Sequence, residues 1–237
     1  MVLYVYAITN DSHPLRLDGL PAVSGDEDTT LRSVKEGSLC AVVSELTREL
    51  TAKRDDVEAH HTVQDRLWAD GVTLPLGFGF TAEDEDVVHA VLREGADLYA
   101  ERLEELKDRV EFNVKGILDE DTALRQIVGE SDDVRRLNDA TREGGGTYED
   151  RLELGRLVNE AVQAKQQALA ESVLAELRPQ IHAERSEPSQ QYFVNSSFLV
   201  DRDRADEFAK TAGRLADDGP DGVELRIRGP LPPYSFV

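Results

Sequence analysis

The chain has 237 residues, of which 48 are acidic and 27 basic, for a formal charge of -21, and 40% are hydrophobic. That charge repels phosphate backbones and anionic lipid, so neither nucleic acid nor a membrane surface is an expected partner, and the hydrophobic fraction with its periodic segments separates the chain from disordered acidic proteins. Only six of the basic residues are lysines, a surface that suits concentrated intracellular salt. On that reading the halophilic chain expands or unfolds on dialysis from about 1 M to about 0.01 M salt, as the Debye length grows from about 3 Å to about 30 Å. An unchanged melting temperature between those conditions leaves genome composition as the reason for the scarce lysines.

In chain order, "MVLYVYAI" is apolar but short, lacks a basic lead and runs directly into "TNDSHP", so it reads as a strand rather than a signal peptide. "TTLRSVKEGSLCAVVSEL" reads as strand, glycine turn and strand, with Cys40 as a small buried hydrophobe. "RDDVEAHHTVQDRLWADG" opens with acids and places Val57, Val63, Leu67 and Trp68 at helical spacing before Gly71 stops it. "VTLPLGFGF" is then a short strand broken by Pro75 and glycines. The run from Thr81 predicts a helix with Thr81 as N-cap and Asp84 at its third position, interrupted or kinked at Gly95.

A second unit opens with "RVEFNVKGIL", where Val110, Phe112 and Val114 alternate with polar residues. A helical hairpin follows, jointed at Gly144–Gly146, and then a long amphipathic helix from Tyr148 to about Leu177. Next come a strand through Tyr192, Val194, Phe198 and Val200, a helix capped by Asp201 or Asp203, and the alternating strand "VELRIR". This order predicts an α+β protein of two domains, residues 1–107 and 108–237, the second permitting a ferredoxin-like sandwich. The chain ends in "GPLPPYSFV", where Pro230, Pro232 and Pro233 pre-extend the backbone. An apolar, stiffened tail is expected to dock, with Tyr234 and Phe236 covering the second domain beside Val223–Ile227, or to serve a partner as an extended ligand.

Catalytic and metal motifs are sparse. Of the five histidines only His60, with Asp56 one turn before and Gln64 one turn after, makes a metal-like face, and a mixed polar helix surface is the preferred reading. There is no G-x-S-x-G elbow around "VNSSF", "GFGF" lacks the spacing and lysine of a phosphate loop, and the paired acids lack EF-hand spacing. No enzyme, cofactor or metal is expected.

"LYVYAI", the "RDDVEAHHTVQ" helix before "VTLPLGFGF", the central "VEFNVKG", "YFVNSSFLV" and "GPLPPYSF" occur in an order that resembles the GvpL/GvpF family of gas vesicle accessory proteins. Leu231 stands where that family tends to show tryptophan, and "LGFGF" where it shows Arg-Phe-Gly. The resemblance implies two α+β domains, the second a modified ferredoxin-like fold, and a cytoplasmic, vesicle-associated role as an escort or minor component. Its implied partners are the small hydrophobic major shell protein and other gas vesicle accessory proteins. The expected contact surface is the first-domain helix and the segment after it, through Asp55, Glu58, His61, Trp68, Leu76, Phe78 and Phe80. The alternative is a small-ligand-binding or regulatory α+β protein.

Overall fold

Strand β1 (Leu3–Asn10) is rich in β-branched and aromatic residues and is almost wholly buried. It pairs antiparallel with β3 (Leu39–Glu45), which forms a hairpin with β2 (Arg32–Glu36). The turn uses Gly37 at a φ of 59°, a left-handed conformation that favours glycine. Val5 pairs with Val43 but Ala7 with Val42, so Tyr6 is the extra residue of a bulge. That bulge brings Tyr4, Tyr6 and Ala7 into one cluster with Val42 and with Ala59, Val63 and Leu67 of helix α1 (Arg54–Asp70).

The other edge of β1 is covered in two pieces, β4 (Leu74–Pro75) and β5 (Thr81–Ala82). Pro75 lies opposite Ala7, and Thr81 lies opposite Tyr4. The bonds Leu76 N–H to Tyr6 O, 2.9 Å, and Val5 N–H to Phe80 O, 3.0 Å, continue the ladder from both sides. β4 and β5 are therefore one edge strand from which Gly77, Phe78 and Gly79 loop out. Gly79, at a φ of 105°, makes that excursion possible. Helices α2 (Glu85–Glu94) and α3 (Ala96–Leu106) follow, packing Val88, Leu92, Leu103 and Leu106 around β1–β4.

The structure, a computed structural model, describes residues 1–24, 26 and 28–237. The chain separates into two compact units: unit 1 comprises Met1–Glu111, Asp201–Asp203 and Pro230–Val237, and unit 2 comprises Phe112–Val200 and Arg204–Gly229. Unit 2 is built on a second sheet in the order β7-β8-β6-β9, from β6 (Arg109–Leu118), β7 (Ala183–Ser186), β8 (Val194–Asp201) and β9 (Val223–Leu231). Numbered within the unit, that order is 2-3-1-4, the arrangement of a β-α-β-β-α-β split unit. Its first crossover is enlarged to three helices, α4 (Glu120–Glu130), α5 (Asp132–Thr141) and the 30-residue α6 (Tyr148–Leu177), and α7 (Ala205–Asp217) is the second. Thr147 and Asp150 close a reciprocal capping box at the start of α6. Phe112 and Phe198 each meet the Phe208 ring in a tilted contact, at centroid distances of 4.8 and 5.7 Å, and all three are buried.

Four sequence expectations change. Asp84, not Thr81, caps α2, accepting from Val87 N–H, because Thr81 is engaged in the edge strand. The helix α7 has neither Asp201 nor Asp203 as a cap, since a 3-10 turn over Arg202–Arg204 intervenes. Strand β7 is added, its sequence Ala-Glu-Arg-Ser too polar to announce an edge strand. The fourth change is the tail, which joins unit 1 rather than the second domain. Ser235 donates both its N–H (2.8 Å) and its hydroxyl (2.7 Å) to the carboxylate of Glu111, a residue 2% exposed. Pro232, Pro233 and Phe236 are buried, and burial pushes the Tyr234 phenol up to about 12. A buried carboxylate requires donors, and the tail supplies two of them to Glu111, which is why it settles there.

Candidate functional site

Helix α1 has two polar faces of different kinds. Asp56, His60 and Gln64, spaced one turn apart, are all buried, so the face expected at the surface points inward. Each is committed to a protein partner. Asp56 receives a bidentate pair from Arg48, at 2.7 and 3.2 Å, and both the N–H and hydroxyl of Ser24. Burial raises its pKa, but the Arg48 and Ser24 donors outweigh this and hold it below the ordinary carboxylate value. Gln64 spans the interrupted edge strand, donating to Tyr6 O at 2.5 Å and Leu76 O at 3.2 Å.

His60 is the centre of this arrangement. The Tyr4 hydroxyl accepts from Gly79 N–H at 3.1 Å and donates to His60 Nδ1 at 2.9 Å, while the other ring nitrogen faces the Leu76 carbonyl. The imidazole is therefore held neutral, with Nδ1 an acceptor. Burial lowers its pKa to about 4, with repulsion from His61 adding to the shift and the Leu76 bond opposing it. The rings of Tyr4, Tyr6 and Phe78 surround it at centroid distances of 5.8 to 6.1 Å. The Tyr4–His60 pair anchors the looped-out Gly77–Gly79 segment to the core from beneath. Among the described residues no group of histidines, cysteines and acids is placed to hold a metal ion.

Of the expected contact residues, Asp55, Glu58 and His61 lie exposed on the outer face of α1, with Glu58 paired to Arg54 at 2.7 Å. Leu76 and Phe78 are half-buried under the loop, and Phe80 is 56% exposed although its carbonyl is fixed by Val5. Phe78 meets the His60 ring edge-on, which links the loop to the helix. Trp68 stands apart, half-buried near the far end of α1, with the Arg202 guanidinium over its ring at 4.7 Å. Sequence reasoning missed Tyr4 and Tyr6 as the partners that support the loop. Their signal was the alternation in "LYVYAI", which places two hydroxyl-bearing aromatics on one face of a buried strand.

At the end of α1, His13 Nε2–H donates to Leu67 O at 3.0 Å and its Nδ1 accepts from Leu15 N–H at 3.1 Å. Burial keeps this imidazole below its ordinary pKa. A Cβ on Gly71 would lie 2.8 Å from His13 Cδ2. Gly71→Ala is expected to push His13 off Leu67 and destabilise unit 1 by about 1–3 kcal/mol, read as a lower midpoint in denaturant. An unchanged midpoint would show that His13 moves aside freely.

Among the described residues no helix is long and apolar enough to cross a membrane. The family model "Gas vesicle synthesis protein GvpL/GvpF" matches residues 2–237. Gas vesicle protein F of Streptomyces sp. (strain CB03234) is 40% identical over 239 residues, covering all of both chains. Gas vesicle protein L of the same strain is 27% identical, over 99% of this chain and 92% of that one. The crystal structure of the gas vesicle protein GvpF from Anabaena sp. PCC7120 superposes with a TM-score of 0.82 at 20% identity, over 99% of this chain and 97% of that one. The GvpF structure from Microcystis aeruginosa gives 0.80 at 18% identity, over 99% and 98%. With a family model matched along essentially its whole length and a full-length relative at 40% identity, the chain belongs to the GvpL/GvpF family of gas vesicle proteins.

Proposed function

We propose that this chain is a non-enzymatic gas vesicle assembly protein of the cytoplasm that binds the hydrophobic major shell protein and keeps it from aggregating while the vesicle is nucleated. The contact surface is the outer face of α1 with the adjoining loop: Asp55, Glu58 and His61, then Leu76, Phe78 and Phe80, with Trp68 at its far end. The observation that carries this reading is Phe80, a large apolar ring 56% exposed on a backbone fixed by the sheet ladder. An exposed apolar anchor on a rigid, acid-flanked edge suits a carrier that covers an apolar face while its net charge of -21 keeps the complex dissolved. Other gas vesicle accessory proteins are further partners on this reading.

The test is co-purification of the tagged protein with the shell protein. Phe80→Ser combined with His61→Ala is expected to weaken capture by about tenfold or more while leaving the melting temperature within about 1 °C, because both side chains are exposed. Unchanged capture across substitutions at these positions would move the contact elsewhere. Capture lost together with stability would instead make Phe80 a structural residue.

A further inference from the structure

The sheet of unit 2 has two edges. One is β7, four residues long and polar, and the other is β9, nine residues long, whose stretch Val223–Arg228 alternates strictly between apolar and charged side chains. Where the end of β6 meets the start of β9, Asp119 N–H donates to Gly222 O at 2.7 Å. The backbone groups of a strand point to its two sides in alternation, so Glu224, Arg226 and Arg228 share the bonding side of Gly222, while Val223, Leu225 and Ile227 turn theirs to the open edge. The side chains of that second set are only half-buried, which leaves their apolar row open to solvent. Natural sheets blunt a long edge with a lysine, a proline or an inward charge. Between Val223 and Arg228 there is no lysine, no proline and no charge on the half-buried face.

The charges of this segment are ordered. Asp217, Asp218, Asp221 and Glu224 precede Arg226 and Arg228, so the stretch runs from acid to base. Arg228 is exposed and has no ion pair among the described residues. Glu224 and Arg226 pair along the strand at 2.7 Å and keep 57% and 55% of their side chains in water, so a further partner joins them without burying a lone charge. A strand whose two ends carry opposite charge is complementary to itself turned around.

We propose that β9 pairs antiparallel with β9 of a second copy about a two-fold axis at Leu225, joining two unit 2 sheets edge to edge. In that register Leu225 lies opposite its own counterpart and exchanges both backbone bonds with it, and Ile227 N–H donates to Val223 O in both directions. Val223 N–H is not required, since Pro220 O already holds it at 3.0 Å. On the exposed face Glu224 of each copy lies opposite Arg226 of the other, with Arg228 on the diagonal. An axis at Glu224 or at Arg226 would set like charges opposite each other, which fixes the register. On the half-buried face Val223 meets Ile227 and Leu225 meets Leu225, closing the open apolar row. Pro220 falls opposite Pro230, and neither has an N–H to carry the ladder further. The proposal rests on unit 2 and is independent of the surface assigned to the shell protein.

The full chain is followed by sedimentation velocity from about 1 μM to about 0.3 mM at about 0.15 M salt, where a Debye length of about 8 Å screens the two acidic bodies from each other but not charges in contact. A reversible equilibrium of monomer and dimer is expected within that range. Glu224→Arg and Arg226→Glu, both at exposed positions, are each expected to weaken it at least about tenfold while leaving the melting temperature of the dilute chain within about 1 °C, because each sets like charges opposite one another at two places. An equimolar mixture of the two variants is expected to dimerise as tightly as the unchanged chain, since only the mixed dimer sets an arginine opposite a glutamate at both places. Both variants stay strongly acidic, so mixing brings no general attraction, and the pair within each strand stays broken, so the rescue cannot come from the fold. A chain that stays monomeric to about 0.3 mM, a dimer indifferent to either reversal, or a mixture no tighter than the variants alone would each overturn the proposal.

Discussion

Removal of Pro230–Val237 is expected to lower the melting temperature of unit 1 by about 10 °C or more. Two losses combine. Phe236, 4% exposed, gives up burial worth about 1.5–3 kcal/mol. Glu111 loses the two donors supplied by Ser235, at about 1–3 kcal/mol for donors withdrawn from a buried carboxylate. Glu111→Gln is expected to be milder, because an amide oxygen still accepts from Ser235. Trp68 fluorescence follows the transition, since the only tryptophan lies in unit 1. If the truncated chain melts with the full one but no longer captures the shell protein, the tail is a ligand for a partner and its docking is incidental.

The second large effect is acid lability of unit 1 in the window where His60 titrates. His60 is neutral and 1% exposed, with a pKa of about 4 against about 6.5 in the unfolded chain. The unfolded state therefore binds the proton first as pH falls. Stability is complete above about pH 6.5 and declines down to about pH 4, by about 3 kcal/mol over that window. Asp56, whose pKa is lowered, extends the loss at still lower pH as the Arg48 pair is broken. The Trp68 transition is thus expected at a lower denaturant concentration at pH 5 than at pH 7. Coincident midpoints at the two pH values would refute the assignment of His60 as a buried neutral acceptor. Tyr4→Phe, which withdraws the donor to His60 Nδ1, is expected to lower stability at both pH values and reduce the difference between them.

Much of the architecture was legible because it depends on local pattern. The β2–β3 hairpin follows from alternation around Gly37, α1 from apolar spacing between acids and Gly71, and the break between α2 and α3 from Gly95. The long helix α6 runs over the span its periodicity marks. What escaped depends on partners distant in sequence. Asp56, His60 and Gln64 are polar residues on a helix and read as surface, because the Tyr4, Tyr6, Ser24 and Arg48 groups that satisfy them come from other elements. The tail's composition announces docking but carries no address. Glu111, one residue in a strand of alternating charge, supplies it. The expected contact residues were placed partly together, with Phe78 beside His60 and its neighbour His61, while Trp68 belongs to a separate pocket.

The division of the chain also orders its synthesis. Unit 1 begins with Leu3–Asn10 yet includes Asp201–Asp203 and Pro230–Val237, so all of unit 2 is translated between its opening strand and its closing segment. The Glu111–Ser235 contact joins residues 124 positions apart. A ribosome that has finished the β1–β3 sheet, α1 and the edge strand holds a unit whose Glu111 still awaits Ser235. Closure of a loop this long is entropically slow to nucleate and rewards the chain only once Ser235 has been made. The exposed loop bearing Phe80 is present from early in translation, whereas the brace that sets the final stability of its unit arrives only after a complete second fold has emerged.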